Sequence, residues 1–518
     1  MKTIYKNILL VLFCSTLFVN CSVEENPPTL SEDNVYTSIA GMEAALNGVY
    51  SGLAQYNYFV FRYHELVNQT AGMYYSNSNN DIITTVSLNV SPNDVKIETV
   101  WAASYQTIAR ANILIAKTPD EITDPQMLNL LGQAYFLRAY TYFNLVRMYG
   151  GVPLRLDPAT SETLHLAKSS ASEVYESIIA DAEKAKLLLF DKGSQTEGRP
   201  ANTACNMLLA KVYMTLAGDD NGSEYWTKAH SEALVAYGQY SLVSDYTDLW
   251  GQIGTANNNS ESIFEIQFNT QLGNSSYYQI FSPANYGVSR GWERVKANPE
   301  VIDLHLDTYP SDPRIDVTYL LEFTYEDKKR NKIKTKQAYP LWTKTRNKGT
   351  GFPWIFKYTT KDRNQISSPT DFNFVVYRYA DLLLMLGEIE NELGQTTDAI
   401  SRVNEVLTRA RMSGDGSEEP ADWFGLSQDE FREAIMKEYR FELVGEGHDF
   451  YNNRRRGWDY FKTNFVDVHN NYKEAEGVWQ AGLDVLYPDN SRIMLMPLPA
   501  SEINANQLLL PTDQNPGY

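Results

Sequence analysis

Between Val376 and Arg411, apolar residues recur every three or four positions in two blocks separated by a single glycine. Tyr379, Leu383, Leu386 and Leu393 mark the first block; Ile400, Val403, Val406, Leu407 and Ala410 mark the second. Gly394 stands between them, where a left-handed C-terminal cap is wanted. The pattern predicts a helical hairpin. Such a hairpin cannot bury its apolar face alone, so stacked neighbours and a repeat architecture are expected. The same period returns in 38–50, 99–115 and 133–149, the last stopped by Gly150, Gly151 and Pro153. Ser170 and Glu173 form a capping-box pattern ahead of a helix lined by Val174, Ile178, Ala182, Ala185 and Leu189. Residues 203–216 and 224–237 make a further hairpin with Gly218 and Gly238 as stops, and another helix is expected from about Asp429 to Gly445.

The period fades from 245 to 371. Residues 262–268 alternate like a half-buried strand, and 316–323 do the same ahead of a charged turn at 326–331. The stretch 277–313, rich in Gly, Pro, Asn and aromatic residues, reads as long ordered loops, which in compact proteins usually carry function.

Lys2 and Lys6 precede an apolar run from Ile8 to Val19 that is too short to span a membrane, so residues 1–20 read as an export signal. The run ends at Cys21, and the polar segment after it suits a tether. This resembles a bacterial lipoprotein signal, in which the cysteine becomes the acylated first residue. Of three cysteines, Cys14 lies in the removed segment and Cys21 would carry lipid. Only Cys205 is left, so the mature chain has no intramolecular disulfide. Its helical context predicts a small buried hydrophobe. The formal net charge of −19 over 518 residues argues against a nucleic-acid partner, since that affinity comes from Lys and Arg. Thirty-five tyrosines suit a surface that presents flat, half-polar rings.

These residues together resemble the SusD/RagB-type outer-membrane nutrient-binding lipoproteins of Bacteroidetes. The likeness is carried by 31–38 with 44–50, by Trp101, Tyr105, Ile108 and Asn112, and by 136–140 with 150–154. It continues in Gly198-Arg199, Asp312-Pro-Arg314, 378–385, 438–443 with Glu446-Gly447, 496–499 and 514–518. The resemblance implies a mainly α fold of tetratricopeptide-like hairpins with a few short strands. It implies one SusD-like domain over 21–518, with a loop-rich, ligand-binding insertion at about 245–375. It also implies a lipid anchor to the outer membrane at Cys21, oligosaccharide as ligand and a SusC-like TonB-dependent transporter as partner.

Neutral sugars are held by flat apolar faces with amides or carboxylates beside them. Two segments supply both: Tyr74, Tyr75, Asn77, Asn79 and Asp81, and Tyr277, Tyr278, Tyr286 and Trp292. Trp354 is a third candidate. Enzyme-like patterns are weaker. Gly287-Val-Ser-Arg-Gly291 has the nucleophile-elbow spelling without the strand and helix that motif needs. His64-Glu65 lacks the second histidine of a zinc protease, and six scattered histidines offer no ligand cluster. Glu438, Glu442 and Glu446, close in sequence to Arg454, Arg455 and Arg456, read as a structural ion-pair network. No catalytic residue, metal or cofactor is expected. The rival readings are the same fold binding peptides, a purely structural scaffold, and a glycoside hydrolase, for which Asp81 and Glu293 are the nearest carboxylates.

Overall fold

The computed structural model describes residues 35–250, 256–269, 275–287, 290–327, 329–339, 352–359, 370–472 and 485–518. The expected export signal, Cys14 and Cys21 lie outside them. Helix α1 (Ile39–Leu53) opens on Ser38, whose hydroxyl accepts from Gly41 N at 3.2 Å. Next come α2 (Arg62–Gln69), α3 (Val95–Lys117) and α4 (Pro125–Tyr149). Asp124 caps α4, with Pro125 in the first turn, where a missing N–H costs nothing. The capping box expected at Ser170 and Glu173 starts α5 (Ala171–Leu188). Then follow α6 (Asn202–Ala217), α7 (Tyr225–Ala236), α8 (Pro299–Thr308), α9 (Tyr379–Glu392), α10 (Thr396–Met412) and α11 (Gln428–Leu443).

The helices stack as their one-sided apolar faces require. Helix α3 packs between α1 and α4, α5 between α4 and α6, α7 between α6 and α9, and α9 also against α10 and α11. Gly387 sets the closest approach of α9 and α10, since a Cβ there would lie 2.9 Å from Val403 Cγ2. Gly394 takes the left-handed φ of 77° that the hairpin needs. One hydrophobic cluster runs from Met42 to Leu509, and Cys205 is fully buried in it, its thiol pushed up by burial.

Short strands tie the irregular segments to this stack. They are β1 (Tyr74–Tyr75), β2 (Ser262–Ile266), β3 (Lys296–Ala297), β4 (Tyr319–Leu320), β5 (Glu322–Asp327), β6 (Lys332–Gln337), β7 (Trp354–Ile355) and β8 (Phe374–Arg378). Strands β1-β3-β7-β4 form one antiparallel sheet, β2 pairs β8, and β5 pairs β6. Three expectations are corrected here. Residues 376–378 end a strand and do not begin the helix, because β8 pairs with β2. Residues 277–313 are not continuous loop but hold a helical turn (Tyr277–Phe281), β3 and α8. Residues 316–318 are helical, and the alternating strand starts at Glu322.

The acidic face of α11 is a structural network, but its cations come from elsewhere. Arg314 donates to Asp312, Glu438 and Glu442, with Nη1 to Glu438 Oε1 at 2.6 Å. Arg409 pairs with Glu261 and Glu442, and Lys357 with Glu446 at 2.7 Å. Arg378 bridges Glu261, Glu442 and Glu446. Arg454 instead donates to the carbonyls of Thr70 and Ile493, while Arg455 and Arg456 pair with Glu388 and Glu392. Sequence proximity misled because the acidic face of α11 turns inward, toward distant segments.

Candidate functional site

Four segments converge beside the β1-β3 edge. A π-helical turn (Tyr56–Val60) and the start of α2 bring Tyr56, Phe61 and Arg62. The chain after β1 brings Asn77 and Ser78, and the chain before β3 brings Arg290 to Arg294. Backbone bonds fix this meeting: Asn77 N donates to Glu293 O at 3.0 Å, Trp292 N to Gln279 O at 2.6 Å, and Arg294 N to Ile280 O at 2.7 Å. Gly291 permits the crossing, since a Cβ there would sit 2.0 Å from Ser282 O. The result is an open groove of about 490 Å³.

Its walls carry aromatic faces. Tyr56, 49% exposed, stacks on Phe61 at 4.9 Å, and Phe61 meets half-buried Trp292 edge to face at 5.0 Å. Burial pushes the Tyr56 hydroxyl above its usual range, so it stays a neutral donor. Asn77 is exposed at the rim, with Ser78 next to it. Behind the arginines lie two buried carboxylates. Glu65 accepts from Arg62 at 2.6 Å and lies 3.6 Å from Arg294 Nε; Asp81 accepts from Arg294 at 3.1 Å and pairs with Lys96 at 3.0 Å. Burial pushes Glu65 up, with Asp81 adding to it. Burial also pushes Asp81 up, but Lys96, Ser76 and Arg294 together pull it below its ordinary value.

Of the candidate ligand residues, Asn77 and Trp292 reach this groove. Five rings turn inward and offer no face to a surface ligand. Tyr74 is fully buried, donating to Asp449 Oδ2 at 2.5 Å and accepting from Gly445 N at 2.6 Å. Tyr277 is fully buried and donates to Phe59 O at 2.8 Å. Tyr278, Tyr286 and Trp354 pack with Phe323 and Phe356 in a second core. The reason is area: a large ring on an irregular segment gains most by folding beneath it. Half-buried Tyr75 stacks on Phe352 at 3.7 Å, and exposed Asn79 starts a short helical turn and does not line the groove. Asp81 is buried behind the wall. Tyr56, Phe61, Arg62, Arg290 and Arg294 also line the groove and were not among the candidates; the aromatic run 56–61 ahead of Arg62 was the available signal.

The carboxylates nearest to a hydrolase pair are both committed to cations. Glu293 is buried and accepts from Lys336 at 2.7 Å and Ala284 N at 2.8 Å; Lys296 and Lys336 outweigh burial and hold it low. Asp81 is likewise held ionised, whereas a glycoside hydrolase needs one raised, proton-carrying acid. Val288 and Ser289 of the elbow-like motif lie outside the described residues. A further groove, of about 290 Å³ beside Gly198 and Asn258, is poorer in free rings because Lys192 Nζ lies 3.7 Å over its Tyr240.

A stack of helical hairpins carrying a groove between irregular segments is the class of protein that fold and site define. The SusD family model matches residues 260–518, and a model described as starch-binding associating with outer membrane matches residues 26–214. The chain belongs to the SusD family. It is 28% identical to SusD-like protein P2 of Formosa agariphila over 99% of both chains. A SusD homolog from Bacteroides thetaiotaomicron superposes with a TM-score of 0.75 at 23% identity, covering 94% of this chain and 98% of that one. Surface glycan-binding protein A from Bacteroides uniformis does so with a TM-score of 0.69 at 20% identity, covering 92% and 99%.

Proposed function

We propose that this chain is an outer-membrane glycan-binding protein that captures oligosaccharide in the groove between Tyr56, Asn77 and Trp292. It performs no covalent chemistry on the ligand. The observation that carries this reading is the pairing of ring faces with exposed amide and hydroxyl groups in one open cleft. The family description, with its starch binding and outer-membrane association, and the glycan-binding name of a structural neighbour point the same way. In this reading residues 1–20 are an export signal, Cys21 carries the lipid, and 21–518 form one SusD-like unit with its binding insertion at about 245–375. The captured glycan passes to a SusC-like TonB-dependent transporter. No helix among the described residues is long and apolar enough to cross a membrane.

The test is a glycan array probed with wild type and Trp292→Ala. The variant should lose the wild-type hits while keeping its helical circular dichroism. Unchanged binding would remove the groove as the site, and hits confined to peptides would overturn the ligand class. Cys21→Ala should move the protein out of membrane fractions; retention there would refute the anchor.

A further inference from the structure

The groove is basic in an acidic protein. Three of the side chains that line it, Arg62, Arg290 and Arg294, are arginines, and no Asp or Glu lines it among the described residues, although the chain carries a formal net charge of −19. Chance surface composition does not readily put three guanidiniums in one small cleft of such a chain. Arg62 and Arg294 are built in. Their one shared carboxylate is Glu65, at 2.6 Å and 3.6 Å, and Asp81 holds Arg294 from a second side. Both anchoring carboxylates are buried; Asp81 is shared with Lys96, which also lies 3.9 Å from Asp94, so the positive charge left over at the groove is that of Arg290. The Nη2 atoms of Arg62 and Arg294 donate to no described residue, and exposed Arg290 makes no ion pair among the described residues. A ring stacked beside Trp292 and Tyr56 would therefore meet guanidinium edges as well as amides.

Resting on the glycan-binding reading above, we infer that the ligand is an anionic glycan, its carboxylate or sulfate groups received by Arg62, Arg290 and Arg294 while its sugar rings lie against Tyr56 and Trp292. Guanidinium forks match both oxyanions, and an anion relieves the repulsion between guanidiniums gathered in one cleft. A neutral glucan would offer these guanidinium edges hydroxyl oxygens alone, which bind them less strongly than an oxyanion does. The carboxylate and sulfate sources share this chemistry and are separated by experiment.

Calorimetry on the full-length protein in detergent, with two pairs of ligands, tests the inference. One pair is an oligogalacturonide and its carboxyl-reduced form; the other is a sulfated galactan oligosaccharide and its desulfated form. At least one charged member should bind about tenfold or more tighter than its neutral partner, with a gap that narrows as salt rises. Which pair shows the gap names the anion. Arg290→Gln, at an exposed position that leaves the buried pairs intact, should weaken the charged ligand roughly five- to tenfold and narrow its advantage over the neutral one. Neutral members binding equally well, and lost in Trp292→Ala, would overturn the anionic inference while sparing the site. Charged binding indifferent to both Arg290→Gln and Trp292→Ala would overturn the groove itself. Polyglutamate displacing the glycan as well as free glycan does would overturn glycan as the recognised class, as would failure of all four ligands.

Discussion

Replacing Arg378 by methionine should unsettle the centre of the molecule. All five of its N–H groups are used: Nε to Glu446 Oε2 at 2.8 Å, Nη1 to Glu442 Oε1 at 2.7 Å and Glu261 Oε2 at 3.1 Å, and Nη2 to Glu446 Oε1 at 2.9 Å and the Glu442 carbonyl at 3.0 Å. The surrounding network sets the carboxyl groups of Glu261, Asp312, Glu438, Glu442 and Glu446 against Lys357, Arg314, Arg378 and Arg409. Burial pushes Glu438 up to about 7 against the pull of Arg314, and its Oε2 has no hydrogen-bond partner among the described residues. Methionine removes one cation from a set that is already short of one. The loss is below the sum of five charged hydrogen bonds, because Arg409, Arg314 and Lys357 still serve the same carboxylates. Breaking a buried ion pair from one side typically costs about 3–5 kcal/mol, a large part of a domain's total stability. The remaining carboxylates would then bind a proton more readily, with folded pKa values raised above the unfolded ones. That penalty is small below pH 4.5 and grows as pH rises, so the variant should lose more at pH 8 than at pH 5. The assay is reversible urea denaturation at both pH values, followed by tryptophan fluorescence; Trp250 lies 4.9 Å from Lys357 Nζ and reports on the network. A loss below about 1 kcal/mol at pH 8, or a loss equal at both pH values, would refute the reasoning.

Tyr74→Phe should cost about 1–3 kcal/mol by leaving Asp449, which burial already pushes up to about 6, with Gly445 N alone as donor to Oδ2, yet leave glycan affinity unchanged. Weakened binding at intact fold would return Tyr74 to the site. His64 is buried among Phe59, Tyr63, Tyr277 and Phe374, and burial lowers its pKa from 6.5 to about 3. Above pH 6.5 both folded and unfolded forms are neutral there; below it only the unfolded chain takes the proton, so stability falls, by roughly 2 kcal/mol at pH 5. His64→Leu should flatten the stability profile between pH 7 and pH 5 relative to wild type, and an unchanged slope would be the contrary result.

The long stacked helices were legible in the sequence, down to the capping box at Ser170 and the glycine turn at Gly394, whereas α2 and α8 were not. Helix period, caps and stops are local properties, written within a few turns of chain. The helical hairpins of α6 with α7 and α9 with α10 follow from the same signal, since each exposes one apolar stripe. The family likeness added the expectation of a ligand site on irregular chain. What sequence left open was which rings face out. Tyr74 and Trp292 both lie outside the long helices, yet the ring of Tyr74 is sealed inside against Asp449 and that of Trp292 edges a groove. Burial of a ring depends on what packs over it from distant chain, such as Asp449 over Tyr74. The cations opposite α11 were hidden for the same reason, because Arg314, Arg378 and Arg409 lie far from Glu442 in sequence. Sequence alone therefore determined the scaffold. Tertiary packing decided that Tyr56, Trp292 and three arginines, drawn from segments more than two hundred residues apart, share one surface.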